Sequence, residues 1–293
     1  MTRDQAARHP PVLSLIIPPR GRLQQLRRCL LSLQEQTYPR SAWEVIVVVD
    51  GEDKAVCDEL AAWSGRLPLT WYWQSHAGCG EARNAGAAHA KGDFLVFTDD
   101  DCLFPPDWLS LYAARFQHEP ECIVAGRTLN ALPHNPFSQS TQDVMDYLLR
   151  RYNENPDNAA LAIGNNFGVP TRGFQALGGF SLRYFRAAAE DRDLCARWRA
   201  DGRRMVYATE IVVHHAHELT FASFFRQHMH YGKGAWLLHS SESVRHSGAR
   251  GIEGFEFYRS MFRSSAGVRG FALLLVSQLA QTVGYVSAWR RGG

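Results

Sequence analysis

Residues 79–102, CGEARNAGAAHAKGDFLVFTDDDC, decide the reading of this chain. The Ala-rich stretch over 80–90 predicts a helix, and the short apolar run 94–98 (FLVFT) predicts a strand covered on both faces. Asp99, Asp100 and Asp101 follow at once. Like charges a few ångströms apart raise one another's pKa, so this run is costly unless something neutralises it. A divalent cation does so, and oxygen-only ligands favour Mg²⁺ or Mn²⁺. Carboxylates two residues apart in extended chain share a side, so Asp99 and Asp101 are expected to act together while Asp100 points away. The structural alternative is a solvated acidic loop, or a cap for a helix beginning near Pro106.

Upstream, the same alternation repeats. VLSLII (12–17) reads as a strand, and Leu23, Leu26, Leu30 and Leu33 recur at helical spacing to about Gln36. EVIVVV (44–49) is a second strand, followed by a helix over 54–63 and a strand over 69–73. This βαβαβαβ order predicts a Rossmann-like, mostly parallel α/β sheet with flanking helices. Such sheets bind ligands beyond the carboxyl ends of their strands. Pro18-Pro19-Arg20-Gly21, Asp50-Gly51 and the three aspartates would all gather at that edge. No G-x-G-x-x-G follows the first strand and no G-x-x-x-x-G-K-[ST] occurs, which argues against a dinucleotide fold and a P-loop enzyme.

Composition supports an ordinary globular protein: 293 residues, 45% hydrophobic and 21% charged. Lys plus Arg exceed Asp plus Glu by 32 − 29 = 3, so no basic surplus points to nucleic acid. Six cysteines without a C-x-x-C pair predict reduced, mostly buried thiols in a cytosolic setting. Residues 1–11 lack an apolar signal-like region.

The second half is less regular. NENPDN (153–158) reads as a loop, and Asn165-Asn166 either line a pocket or form a turn. A helix is expected over 187–200, with short strands over 205–208 and 211–213. His214, His215 and His217 come next, and alternation puts His215 and His217 on one face. Glu190, Asp191 and Asp193 either supply an acid–base group or favour a helix N-terminus electrostatically. Residues 270–289 carry no charge, but five Ser, Thr and Gln residues dilute them. A buried or interfacial helix and membrane contact are both open, and a full span fits worst.

In order, LSLIIPPRGR, VIVVVDGEDK, the 79–102 segment with its Arg-Asn-x-Gly and D-x-D, and AEDRDLCARW resemble the motifs of the family 2 glycosyltransferases, over roughly 12–234. The resemblance implies a GT-A fold and inverting transfer from a nucleotide-sugar donor. It implies donor contacts from Pro18, Arg20, Asp50, Arg83, Asn84, Asp99 and Asp100, with Asp50 accepting from the nucleobase and Arg83 near the diphosphate. Asp99 and Asp101 would handle ribose and metal, with His215 or His217 as a further metal ligand. Asp191 would be the catalytic base, with Glu190 beside it lifting its pKa. Asn165 and Asn166 would face the acceptor. The opening loop departs from the family, which usually has Pro-Thr-Tyr-Asn where this chain has Pro18-Pro19-Arg20-Gly21. Residues 226–231 (RQHMHY) resemble the Q-x-x-R-W segment of processive relatives, with His and Tyr replacing Arg and Trp, and read as a lid or acceptor-side element.

The expectation is a hexosyltransferase-type enzyme using Mn²⁺ or Mg²⁺, moving a sugar from a nucleotide-diphosphate sugar, a UDP-sugar first, to a glycan, lipid-linked or small hydroxyl acceptor. A GT-A domain would occupy 1–234 and a helical extension 235–293. That extension would rest at the inner face of the cell membrane, with Arg263, Arg269, Arg290 and Arg291 toward anionic headgroups. The competing readings are a sugar nucleotidyltransferase and a catalytically silent nucleotide-sugar-binding scaffold.

Overall fold

The computed structural model describes residues 12–185, 187–241, 255–263 and 267–292. The signal reading of residues 1–11 and the Arg263 side chain lie outside the described residues. Eight strands form one sheet: β1 (Leu13–Ile17), β2 (Trp43–Asp50), β3 (Leu69–Gln74), β4 (Phe94–Thr98), β5 (Cys102–Leu103), β6 (Ile123–Asn130), β7 (Asn166–Pro170) and β8 (Met205–His215). Their order is β3-β2-β1-β4-β7-β6-β8-β5.

The first half matches the expected alternation. Helices α1 (Leu23–Gln34), α2 (Lys54–Trp63) and α3 (Cys79–His89) connect β1, β2, β3 and β4, which pair in parallel. Period-two alternation sorts β1: Leu13, Leu15 and Ile17 pack with Leu26, Leu30 and Leu33 of α1, while Ile16 packs on the other face with Ala87 of α3. Burial on both faces explains why β1, β2 and β4 read as continuous apolar runs.

The second half is mixed. Strand β7 runs antiparallel to both β4 and β6, and β8 pairs parallel to β6. Residues 166–170 (NFGVP) contain Asn, Gly and Pro, poor strand formers, and they become a strand because all five are buried. The two short strands expected over 205–213 are one strand. Its pairing jumps from Gly126–Ala208 to Arg127–Val212, so residues 209–211 bulge out between them.

Helices α4 (Trp108–His118), α5 (Pro136–Tyr152), α6 (Thr171–Ala176) and α7 (Glu190–Ala200) complete the layers. The start of α5 is set by Asn135, whose side chain accepts from the Phe137 and Ser138 N–H groups, with Pro136 at the first turn. Helix α7 begins at Glu190, later than expected, because Ala189 adopts φ +93° and breaks the helical path.

Helix α8 (Phe221–His239) is capped by Thr220 and Ser223 and crosses residues 234–235, so the expected division falls inside one helix. After it come α9 (Phe255–Arg263) and α10 (Gly267–Gly292). Two glycines let α10 lie against α8 at backbone contact. A Cβ on Gly232 would stand 1.9 Å from the Gln281 carbonyl oxygen, and one on Gly284 2.0 Å from that of Met229.

Candidate active site

Beyond the carboxyl ends of β1, β2 and β4 lies a cavity of about 900 Å³, closed on the far side by α8. Pro18, Arg20, Asp50, Arg83, Asp99 and Asp101 line one wall, and Glu190 and Asp191 open into the same space. Four sequence segments more than a hundred residues apart at the extremes therefore meet in one volume, as the switch point of an α/β sheet requires.

The three aspartates are held differently. Asp99 Oδ1 accepts from Arg83 Nη2 at 2.9 Å. Arg22 forks across Asp100 and Asp101, one guanidinium nitrogen to each. The Arg20 backbone N–H also donates to Asp100, at 3.0 Å. Asp100 is fully buried and does not line the cavity, so the expected donor contact is corrected: it anchors the opening loop. Burial pushes the Asp100 carboxyl up, with Arg22 opposing. Burial also works against charge on Asp99, but Arg83, Arg20 and His215 together outweigh it and the carboxyl sits low. At Asp101 the same desolvation is overcome by His215 and Arg22, which hold it well below the carboxylate range.

Asp101 Oδ1 is buried and carries no hydrogen bond, although His215 Nε2 stands 3.1 Å away. Antiparallel pairing places Cys102 opposite His215, and Asp101, Cys102 and His215 bring one donor atom each within 4.8 Å of one another. A buried, unbonded carboxylate oxygen beside an imidazole fits a divalent cation. His217 lies next to His215, ring centroids 4.9 Å apart, and both line the cavity. Burial and the neighbouring His215 lower His217 to about 4, so it is neutral and able to coordinate.

Asp50 accepts four contacts: Gln74 Nε2 at 2.9 Å, the Ala77 and Gly78 N–H groups at 2.8 Å, and His76 Nδ1 at 3.0 Å. Burial opposes the charge, yet these N–H donors keep the carboxyl low. The side chain of His76 is largely exposed, so it is the partner a ligand could displace.

Glu190 and Asp191 occupy the first turn of α7. Glu190 Oε1 accepts from Arg83 Nη1 at 2.9 Å, and burial with Asp191 nearby raises its carboxyl against the pull of Arg83. Asp191 Oδ2 accepts from the Gly164 N–H at 2.9 Å and Oδ1 from the Arg192 N–H at 2.8 Å. Ala189, just before them, is the one non-glycine residue with positive φ among the described residues. Gly234 of α8 makes room for this link, since a Cβ there would lie 1.6 Å from the Ala188 carbonyl oxygen.

Asn165 lines the cavity, with Oδ1 accepting from Thr128 at 2.9 Å. Asn166 is corrected: fully buried, it accepts from Trp108 and Tyr112 and donates to the Arg127 and Ile211 carbonyls, tying β6, β7 and β8 together. Asn84 is likewise taken up, bonding both the N–H and C=O of Phe180 rather than facing the cavity. Helix α8 presents Gln227, His230, Tyr231 and Lys233 to the opposite wall.

Sequence reasoning missed Arg22 and Cys102. Arg22 carried a signal, since two buried carboxylates at Asp100 and Asp101 need a guanidinium and the opening loop supplies one. Cys102 had none, because its nearness to His215 exists only through the β5–β8 pairing.

The glycosyl transferase family 2 model matches residues 14–178. Validoxylamine A glucosyltransferase of Streptomyces hygroscopicus subsp. jinggangensis is 27% identical over 233 residues, covering 70% of this chain and 55% of that protein. The O-antigen chain rhamnosyltransferase WbaN of Salmonella anatum is 28% identical over 193 residues, 62% of this chain and 59% of its own length. The chain thus spans little more than half the length of these curated relatives. Among solved structures, the mannosyltransferase PcManGT of Pyrobaculum calidifontis, in complex with GDP-Man and Mn²⁺, superposes with a TM-score of 0.70 at 16% identity, covering 97% of this chain and 89% of that one. S. aureus TarS 1-349 with UDP-GlcNAc gives 0.58 at 15% identity, over 96% and 92%. These likenesses share the fold, and with the family match over more than half its residues, the chain belongs to glycosyl transferase family 2.

Proposed function

We propose that the protein is an inverting, metal-dependent glycosyltransferase that moves a sugar from a nucleoside-diphosphate sugar to a hydroxyl acceptor. The observation that carries this reading is the meeting of Asp101, His215 and Asp191 in one cavity, linked through the chain Asp99–Arg83–Glu190. Family membership removes the sugar nucleotidyltransferase alternative. The six free thiols fit a cytoplasmic setting, and α10 reads as a helical extension whose Gln281 joins α8 at the cavity wall.

Asp101, Asp99 and His215 would hold Mn²⁺ or Mg²⁺, with His217 adjacent; the cation supplies neutralisation of the leaving diphosphate. Asp191 takes the proton from the acceptor hydroxyl as its oxygen bonds to the anomeric carbon. The bond to the diphosphate oxygen breaks on the opposite face, and nucleoside diphosphate leaves. The Gly164 N–H fixes the Asp191 carboxylate for this role. Glu190 is engaged by Arg83, and its part is to orient that arginine toward the donor. Asp50 and the Pro18–Arg20 backbone would meet the nucleobase.

The test is calorimetry with UDP, GDP and ADP, with and without Mn²⁺. One diphosphate should bind in a metal-dependent way that disappears in Asp101→Ala. Binding of none, or binding indifferent to metal, defeats the mechanism. Turnover separates the enzyme from a silent scaffold.

A further inference from the structure

The inner face of α10 is fully committed to the protein. Leu274, Ser277, Ala280 and Gly284 are buried along it, and the backbone contacts at Gly232 and Gly284 fix it to α8. Gln281 of the same helix lines the cavity, beside Val144, Met145 and Leu148 of α5. A bilayer-spanning helix would have to abandon these contacts, so its length alone does not make α10 a span.

The outer face is different. Phe271, Leu275, Leu279 and Val283 form a row at i, i+4 spacing, 43%, 47%, 61% and 42% exposed, with Trp289 60% exposed beyond them. The row from 271 to 283 covers about 18 Å. A monomeric globular surface rarely leaves so continuous an apolar row uncovered. The only charged residues in α10 are Arg269, Arg290 and Arg291, two at one end and one at the other, with no carboxylate between. Apolar side chains flanked by arginines, on a helix anchored by its other face, match an anionic lipid surface in both respects.

We propose that the outer face of α10 docks the protein onto an anionic bilayer, with the helix lying in the plane of the interface and the α5–α10 end of the cavity beside it. The aliphatic row enters the headgroup boundary and the arginines meet lipid phosphates. Docking requires neither metal nor turnover, so its failure leaves the catalytic reading untouched, and the reverse holds.

The experiment is co-sedimentation of the full chain with vesicles of phosphatidylcholine alone or mixed with phosphatidylglycerol. The expected result is binding to the anionic vesicles at least about tenfold stronger than to neutral ones, reduced by salt. Leu275→Glu/Leu279→Glu should remain in the supernatant while keeping the wild-type melting temperature and nucleotide binding. Arg290→Gln/Arg291→Gln should lose the anionic preference. The proposal is overturned if the wild type stays in the supernatant with anionic vesicles, or binds both vesicles equally. It is also overturned if the double Glu variant sediments like the wild type. Light scattering that shows a dimer dissociated by the Leu275→Glu/Leu279→Glu change would give the face to a second copy instead.

Discussion

Arg83 Nη1 stands 2.9 Å from Glu190 Oε1, an ion pair between α3 and α7 across 107 residues of sequence. The same guanidinium reaches Asp99 Oδ1 at 2.9 Å, so one side chain joins the aspartate motif to the acidic start of α7.

Removing Arg83 leaves two carboxylates in a buried setting without their partner. Arg83→Ala should lose about 3–5 kcal/mol of stability. Arg83→Lys should recover part of that stability but little turnover. A single ammonium nitrogen on a flexible stem does not reproduce the two nitrogens that Arg83 holds in a planar fork, Nη1 to Glu190 and Nη2 to Asp99. Chemical denaturation and initial rates measure both; a Lys variant with wild-type rates would remove the bridging role.

Asp191→Asn keeps the side chain's shape and removes its basicity. Turnover should fall by about a thousandfold, while calorimetric affinity for the nucleoside diphosphate stays near the wild-type value. Equal loss of both would make Asp191 a donor-binding residue.

Gly234 sits where any Cβ would strike the Ala188 carbonyl oxygen at 1.6 Å. Gly234→Ala should therefore displace the strained Ala188–Ala189 link and, with it, Glu190 and Asp191. The expected cost is about 1–3 kcal/mol in stability, with a larger proportional loss of turnover. Thermal melts and rates check this together. Gly284→Ala, which strikes the Met229 carbonyl rather than Ala188, is the comparison and should loosen α10 as seen by amide hydrogen exchange.

His228 is fully buried between α5 and α10, with Thr141 and Gln281 each 3.4 Å from a ring nitrogen. Burial, with His217 adding to it, lowers the imidazole to about 4 from 6.5. The folded state therefore binds fewer protons than the unfolded state between those values. Its contribution is present above about pH 6.5 and lost as pH falls toward about 4, on the order of 3 kcal/mol. His228→Gln should flatten the melting temperature against pH across that window; an unchanged slope would assign acid sensitivity to other groups.

How far the sequence carried depended on how local the determining force was. The strands β1, β2 and β4 and helices α1 to α3 were legible because both sheet faces are covered, which leaves unbroken apolar runs between helical periods. The D-x-D segment was legible because clustered carboxylates at a strand end demand an explanation. The Glu-Asp segment, open between a catalytic group and a helix N-terminus, was legible only through its resemblance to a family motif. Strand β7 and helix α5 were not foreseen, since NFGVP is a strand only by burial and α5 announces itself mainly by its Asn135-Pro136 start.

Sequence by itself determined the α/β order of the first half and the aspartates that follow β2 and β4, because these rest on local periodicity and spacing, while the family motifs were read by resemblance. Only tertiary structure decided what each polar group does. Asn165 and Asn166 are adjacent, yet one faces the cavity and the other knits three strands, because neighbouring residues of extended chain point to opposite sides. Asp100 turned inward to Arg22, and Cys102 came beside His215, through contacts made between distant segments. Hydrogen-bond partners and burial are long-range properties, and pairing across the sheet assigns them only once the chain has folded.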